Sequence, residues 1–377
     1  MRKVHLLFID NLRVLLITLV ILQHLSTTYG APAFLWCYLE SVADPLEAFV
    51  YSIFNITNQA FFMGFFFMIS AYFIPNSYDK KGFRLFLKDK TIRLCVPLLF
   101  FMLIITPVTL YIIFIVTGKI PSFFYTQNIV LSKNFFTFFY LHFSNYQLFM
   151  GPLWFIGTLF MFTVIYSLCR LFIKYRITFN FQPTNMQIAL FALFLSLLTF
   201  ITRVWFPVVW VFQPLCIAPC YFPQYIFLFI VRLIAYRQNW ILNISKEVGR
   251  LWLWITVFLY LCSPFIIKEI FVPGGFTWRT AIFALWEQFF GIAMIITLLY
   301  WFRGKFNKQG RILKAMSASV YSVYIIHTPV IVIIALFLRN IQLNPFIKFL
   351  LVAPVAISIC YLLGNMIRKL PLISKVL

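Results

Sequence analysis

The chain has 377 residues, of which 63% are hydrophobic and 11% charged, and its mean hydropathy is +0.94. A water-soluble fold cannot hide that much apolar surface, and several apolar runs exceed the roughly 18 residues that mark a membrane-spanning helix. The formal net charge of +22 does not call for a nucleic-acid partner, because its distribution along the chain has a simpler source.

Ten spans are expected in an all-α, polytopic membrane protein, and with no Gly/Ser linker, charge block or repeat between them they form a single domain over 8–368. The first span, 8–29, carries Asp10, Arg13 and His24; it lacks a small-residue cleavage site and is expected to stay in the protein. The second, 51–74, has Ser70 near its end. Between Tyr78 and Pro97, at the entrance of the third span, 93–117, stand Lys80, Lys81, Arg84, Lys88, Lys90 and Arg93, enough charge for a phosphorylated ligand or for anionic lipid. The segment from Ile120 to Gly151 is rich in Phe and Tyr and reads either as an interfacial aromatic belt or as a sugar platform that includes His142. Spans follow at 152–173, 186–206, 215–236 and 250–271; the eighth, 280–302, holds Glu287 near its middle, and the ninth, 317–338, holds Tyr321, Tyr324 and His327. The tenth covers 345–367.

With the N-terminus inside, 23 of the 31 basic residues fall in cytoplasmic segments, Arg232 among them, and seven in outer segments, Arg203 and Lys348 among these. This bias accounts for most of the positive charge and places both termini in the cytoplasm. The seven cysteines are odd in number and mostly within spans, so neither a disulfide framework nor a metal site is indicated.

Arg13 and His24 are eleven residues apart, which on an α-helix brings them within about 20° of one face and roughly 16 Å apart along the axis. Asp10, one turn before Arg13, can pair with it. An ionisable residue at the depth of His24, Glu287 or His327 is costly against lipid and should face a protein interior or a watered cavity. Each can be a hydrogen-bonded clasp between helices. Each can also serve chemistry, since imidazole abstracts protons near neutral pH and a hydroxyl needs a base before it attacks an activated carbonyl. Acyl transfer and proton-coupled export of a glycan or small anion use the same residue types, and spacing leaves both open, although the two similar halves expected of a transporter are not visible.

A set of ordered landmarks narrows the choice: Arg13, ten intervening residues and His24; "FFFMISAYFIPNSYDKKGFRLFLKDKTIRLCVPLLFF"; "GPLWFIGTLFMF"; and "SASVYSVYIIHTPVIV". Together they resemble the acyltransferase 3 family of integral-membrane acyltransferases, and the opening "FIDNLRVLLITLVILQHLSTTYG" is most similar to the branch that includes the bacterial periplasmic-glucan modification proteins. The resemblance covers residues 8 to about 340. It implies a multi-pass protein of the cell inner (plasma) membrane with no bound cofactor, which moves an acyl group, acetyl or succinyl, from cytosolic acyl-CoA to a hydroxyl of a carbohydrate or lipid-linked glycan at the outer face. It implies a catalytic role for His24 and a donor role for Arg13. A further family feature, two arginines separated by two residues at the inner end of the third span, reads here as Lys90 and Arg93; lysine keeps the charge but loses the planar fork that binds phosphate bidentately. Glu287 is expected to orient His24 or touch the acceptor, with Asp10, Ser70, Tyr321, Tyr324 and His327 in support and the tyrosines or Ser70 as possible oxyanion donors.

Overall fold

The computed structural model describes residues 6–32, 35–72, 74–124, 131–145, 149–173, 182–212, 216–235, 244–371 and 373. Helix α1 is Leu7–Thr28. Helices α2 (Pro45–Gln59) and α3 (Phe62–Ala71) make one crossing with a break at Ala60 and Phe61. The crossing starts before the apolar run does, because Asp44 forms a capping box with Glu47 and Pro45 is pre-set for the first helical position. Helix α4 (Ile74–Lys90) bends at Gly82, whose φ of 68° a side chain would resist. Two π turns, Thr91–Cys95 and Phe101–Ile105, enclose α5 (Val96–Phe100) and lead into α6 (Thr106–Thr117).

The short α7 (Phe135–Asn145) packs on α6. There follow α8 (Trp154–Phe172), α9 (Asn185–Trp205), α10 (Phe222–Ala235), α11 (Lys246–Phe265), α12 (Trp278–Lys305), α13 (Arg311–Leu338) and α14 (Pro345–Ile367). Among the described residues nine helical segments are long and apolar enough to cross a membrane, and a shorter apolar helix, Pro219–Ile234, stands at the sixth expected span. The protein is therefore an all-α polytopic membrane protein, and each of the ten expected spans coincides with a helical segment.

Helices α12 and α13 are mostly enclosed by protein, whereas α9, α11 and α14 turn leucines, phenylalanines and tryptophans outward. That is the arrangement lipid demands, since backbone groups are satisfied within each helix and apolar side chains face the hydrocarbon. α1 packs along α13, α13 along α14, α3 along α10, and α9 and α11 flank α12. Gly291 on α12 permits a close approach, because a Cβ there would stand 2.2 Å from the carbonyl oxygen of Ala60.

Side-chain bonds register the two ends of the bundle. At one end the Asn11 amide donates to the carbonyls of Phe306 (2.6 Å) and Lys308 (3.1 Å), and Arg170 pairs with Asp79 (3.1 Å). At the other, Lys348 pairs with Glu40, and Asn344 donates to Glu47. These bonds join the N-terminus of α1 to the α12–α13 connection and the segment before α2 to the start of α14, which is the alternation expected for ten crossings. Three basic residues counted as loop charge are instead inside the protein: Arg203, Arg232 and Lys348 are 0%, 3% and 5% exposed. A bias count cannot see a cation that points inward from a helix end.

Candidate active site

His24 lies one turn from the end of α1 and opens into a cavity of about 350 Å³. The cavity is walled by the end of α1, the segment around Trp36, the middle of the α2–α3 crossing, the stretch from Phe149 to Trp154, the residues before α10, and the first half of α12, including Glu287. Leu35 (φ 59°) and Cys216 (φ 56°), the two non-glycine residues with left-handed backbone among the described residues, both line it. Such conformations cost energy and concentrate where the surrounding structure holds a site in shape.

The His24 ring is held on two sides. The Trp36 indole lies parallel to it at 4.5 Å between centroids, and the His327 ring meets its edge with 5.0 Å between centroids and 22° between planes. Trp36 is itself fixed, because its indole N–H donates to Thr28 Oγ1 (2.9 Å), whose hydroxyl donates to the His24 carbonyl (3.0 Å). Next to Trp36, burial pushes the Cys37 thiol up to about 12, out of the range where a thiolate nucleophile forms near neutral pH.

Hydrogen bonding determines the tautomers. His327 Nδ1 lies 2.6 Å from the Tyr324 carbonyl oxygen, which can only accept, so Nδ1 carries the proton. In the neutral ring Nε2 of His327 is then an acceptor, and it lies 2.9 Å from His24 Nδ1. His24 Nδ1 must donate, which leaves His24 Nε2 as the basic nitrogen. A histidine oriented through its second nitrogen is the arrangement that general-base catalysis uses.

Glu287 shares the cavity but does not orient His24; that bond comes from His327. The carboxylate pairs with Arg203 at 2.6 Å, both side chains being buried, and also accepts from Gln288 (3.1 Å). The Arg203 guanidinium lies 4.7 Å from the centre of the Phe283 ring. Gln288 accepts from Gln224 (3.2 Å), which also donates to the Ala60 carbonyl (2.8 Å). This chain ties α9, α12, α10 and the break between α2 and α3. A second set binds α2 to its neighbours: Asn58 donates to Gln23 of α1 (2.6 Å), Ser26 of α1 to Asn55 (3.1 Å), and Gln59 to the Tyr225 hydroxyl of α10 (3.1 Å). The lining contains no lysine or arginine among the described residues, and the one carboxylate is neutralised from behind by Arg203.

The supporting tyrosines are placed otherwise than expected. Tyr324 donates its hydroxyl to the Pro152 carbonyl and Tyr321 donates to that of Arg93 (2.5 Å), so neither offers an oxyanion donor, and neither lines the cavity. Ser70 stands eleven residues beyond Gln59 at the far end of α3, outside the cavity wall. His142 is buried on α7 beside Phe138 and Phe143 and does not join the aromatic wall, to which Phe149 and Trp154 do belong.

Arg13 sits on the unbroken α1 towards the opposite end from His24, 3.6 Å from Asp10. Arg93, in the first π turn, bonds Asp89 (3.3 Å), which also pairs with Lys81 (3.0 Å), and Lys90 lies against the Phe86 ring. The Tyr321 bond fastens this turn to α13, the helix that carries His327. The structure thus separates a neutral, polar and aromatic cavity at His24 from a cationic surface at the other end of the same helices. Sequence reasoning missed Trp36, Arg203 and the amides Gln23, Asn55, Gln59, Gln224 and Gln288; the amides were legible as polar residues inside apolar runs, whereas Trp36 lies in a connection with no periodicity to mark it.

No curated protein and no solved structure matches this chain. A match to the acyltransferase domain runs over residues 6–365, nearly its whole length. The chain belongs to the acyltransferase 3 family and is a membrane acyltransferase.

Proposed function

We propose that the protein transfers an acyl group, acetyl or succinyl, from cytosolic acyl-CoA to a hydroxyl of a carbohydrate or lipid-linked glycan at the outer face of the inner (plasma) membrane, with both termini in the cytoplasm. The observation that carries this reading is His24, oriented by His327, at the wall of a cavity with aromatic and amide walls. Sugars are uncharged, stack on aromatic faces and exchange hydrogen bonds with amides, and Trp36, Trp154, Gln23, Asn55 and Gln59 supply both. Charge bias favours the cytosol for the Arg13 end, where Arg13, Lys90 and Arg93 offer cations to the phosphates of the donor.

In this reaction the acceptor hydroxyl oxygen attacks the thioester carbonyl while His24 Nε2 takes its proton. The carbon–sulfur bond then breaks, the CoA thiolate leaves, and the proton on His24 Nε2 passes to it, which regenerates the neutral base. His327 holds the Nδ1–H of His24 throughout, so the imidazolium that forms keeps a hydrogen-bonded partner. Glu287, held by Arg203, faces the acceptor as a hydrogen-bond acceptor. No cysteine nucleophile is required, and transfer is direct.

The test is His24→Gln, which keeps a hydrogen bond but cannot take a proton. Transfer of radiolabelled acyl groups should fall by roughly 100-fold or more, while acyl-CoA binding and folding are retained. Near wild-type transfer by a folded His24→Gln protein would remove His24 as the base.

A further inference from the structure

A second cavity, of about 370 Å³, lies at the basic end of the bundle and shares no lining residue with the first. Its walls are apolar, with Met68 of α3, Phe191 of α9, Leu228 of α10 and Ile292, Ile295 and Leu299 of α12. Into it faces Arg232, in the last turn of α10 and only 3% exposed. The polar positions Gln182, Gln187 and Ser245 stand where α9 and α11 begin, at the same end as the last turn of α10. The cavity therefore has a polar mouth and a hydrocarbon interior that runs towards the middle of α12.

Arg232 lacks an internal counter-charge. All nine side-chain carboxylates are among the described residues. Asp10, Glu40, Asp79, Asp89, Glu269 and Glu287 form ion pairs with other cations. Asp44 and Glu47 cap α2, and Glu247 is exposed on the first turn of α11. Among the described residues the contact found for the Arg232 guanidinium is the Tyr72 ring, 4.1 Å from its centroid. A cation–π contact stabilises a buried guanidinium only in part. An arginine inside a membrane protein ordinarily pairs with an anion, and among the described residues no carboxylate is paired with Arg232.

We propose that this cavity binds one anionic phospholipid, its phosphate on Arg232 and one acyl chain in the apolar interior. The position of the cation at the mouth matches the depth of a headgroup, and the volume is that of a ligand pocket, not of a packing defect. Arginine binds phosphate through its planar fork, and a net negative lipid leaves no residual charge in the site. The proposal does not depend on the chemistry at His24.

The test uses the full-length protein, stripped of lipid in detergent and titrated with phosphatidylglycerol or with phosphatidylcholine of the same chains, bound lipid being counted by native mass spectrometry. Wild type should take up one phosphatidylglycerol with at least tenfold preference over phosphatidylcholine. Arg232→Gln should weaken phosphatidylglycerol at least tenfold and abolish the preference, and Arg232→Lys should retain part of it. Val231→Trp, at a half-buried wall position, should weaken both lipids by filling the interior, and it decides the matter if Arg232→Gln does not fold. His24→Gln should bind as wild type does. Equal affinity for the two lipids, wild-type binding by Arg232→Gln, or tighter binding of a free fatty acid or acyl-CoA than of phosphatidylglycerol to this cavity would each overturn the assignment.

Discussion

His327 offers the sharpest test of how the site is assembled. Its Nε2 receives the Nδ1–H of His24 at 2.9 Å, and its own Nδ1–H is anchored on the Tyr324 carbonyl at 2.6 Å. His327→Ala removes the acceptor that selects the tautomer of His24 and leaves a buried N–H without its partner. A lost buried hydrogen bond of that kind costs about 1–3 kcal/mol, and at 1.36 kcal/mol per tenfold in rate this is roughly a 5- to 150-fold fall in kcat. The KM for acyl-CoA should not move, because His327 does not reach the cationic end. His327→Gln, whose carbonyl can accept from His24 while its amide reaches the Tyr324 carbonyl, should recover much of the loss. Single-turnover transfer with radiolabelled donor reads the chemical step apart from product release. Because the two histidines act as a unit, the double variant His24→Gln, His327→Ala should be no slower than His24→Gln alone. Multiplying losses in the double variant, or wild-type kcat in a folded His327→Ala protein, would refute the tautomer argument.

Three further outcomes are expected. Arg203→Met should lower stability in detergent by about 3–5 kcal/mol, since it strands the buried Glu287 carboxylate, and adding Glu287→Met should restore most of it; calorimetry or thermal melts with and without the second change measure this. Arg93→Ala should weaken acyl-CoA binding by equilibrium dialysis with the protein still folded, and Lys90→Arg should bind at least as tightly as wild type, because the fork suits phosphate. His142 is pushed down to about 4 by burial. A histidine depressed from its usual value of about 6.5 adds stability that is present above that value and lost as pH falls towards 4. The destabilisation should reach up to about 2 kcal/mol at pH 5, visible as a lower Tm at pH 5 than at pH 7, a difference that His142→Phe should reduce.

The class of the molecule and its crossing points follow from the amino-acid sequence alone. A run of apolar residues long enough to span hydrocarbon has few alternatives to a helix, so each of the ten crossings was legible, although helices run past their apolar runs by a few residues after Asp44 and at Arg311 and by a whole polar helix, Ile74–Lys90, before the third. The alignment of Arg13 and His24 also follows from helical period alone, given an unbroken α1. The partners of the buried polar groups were not legible, because they come from helices far apart in the chain. His24 meets His327 303 positions away, and Glu287 meets Arg203 84 positions away. Arg203 and Arg232 look like ordinary loop charge when basic residues are counted by segment. Only the packing of α9 and α10 against α12 and α3 decides that one arginine pairs with a carboxylate and that the other stands at an apolar cavity, with no carboxylate paired to it among the described residues.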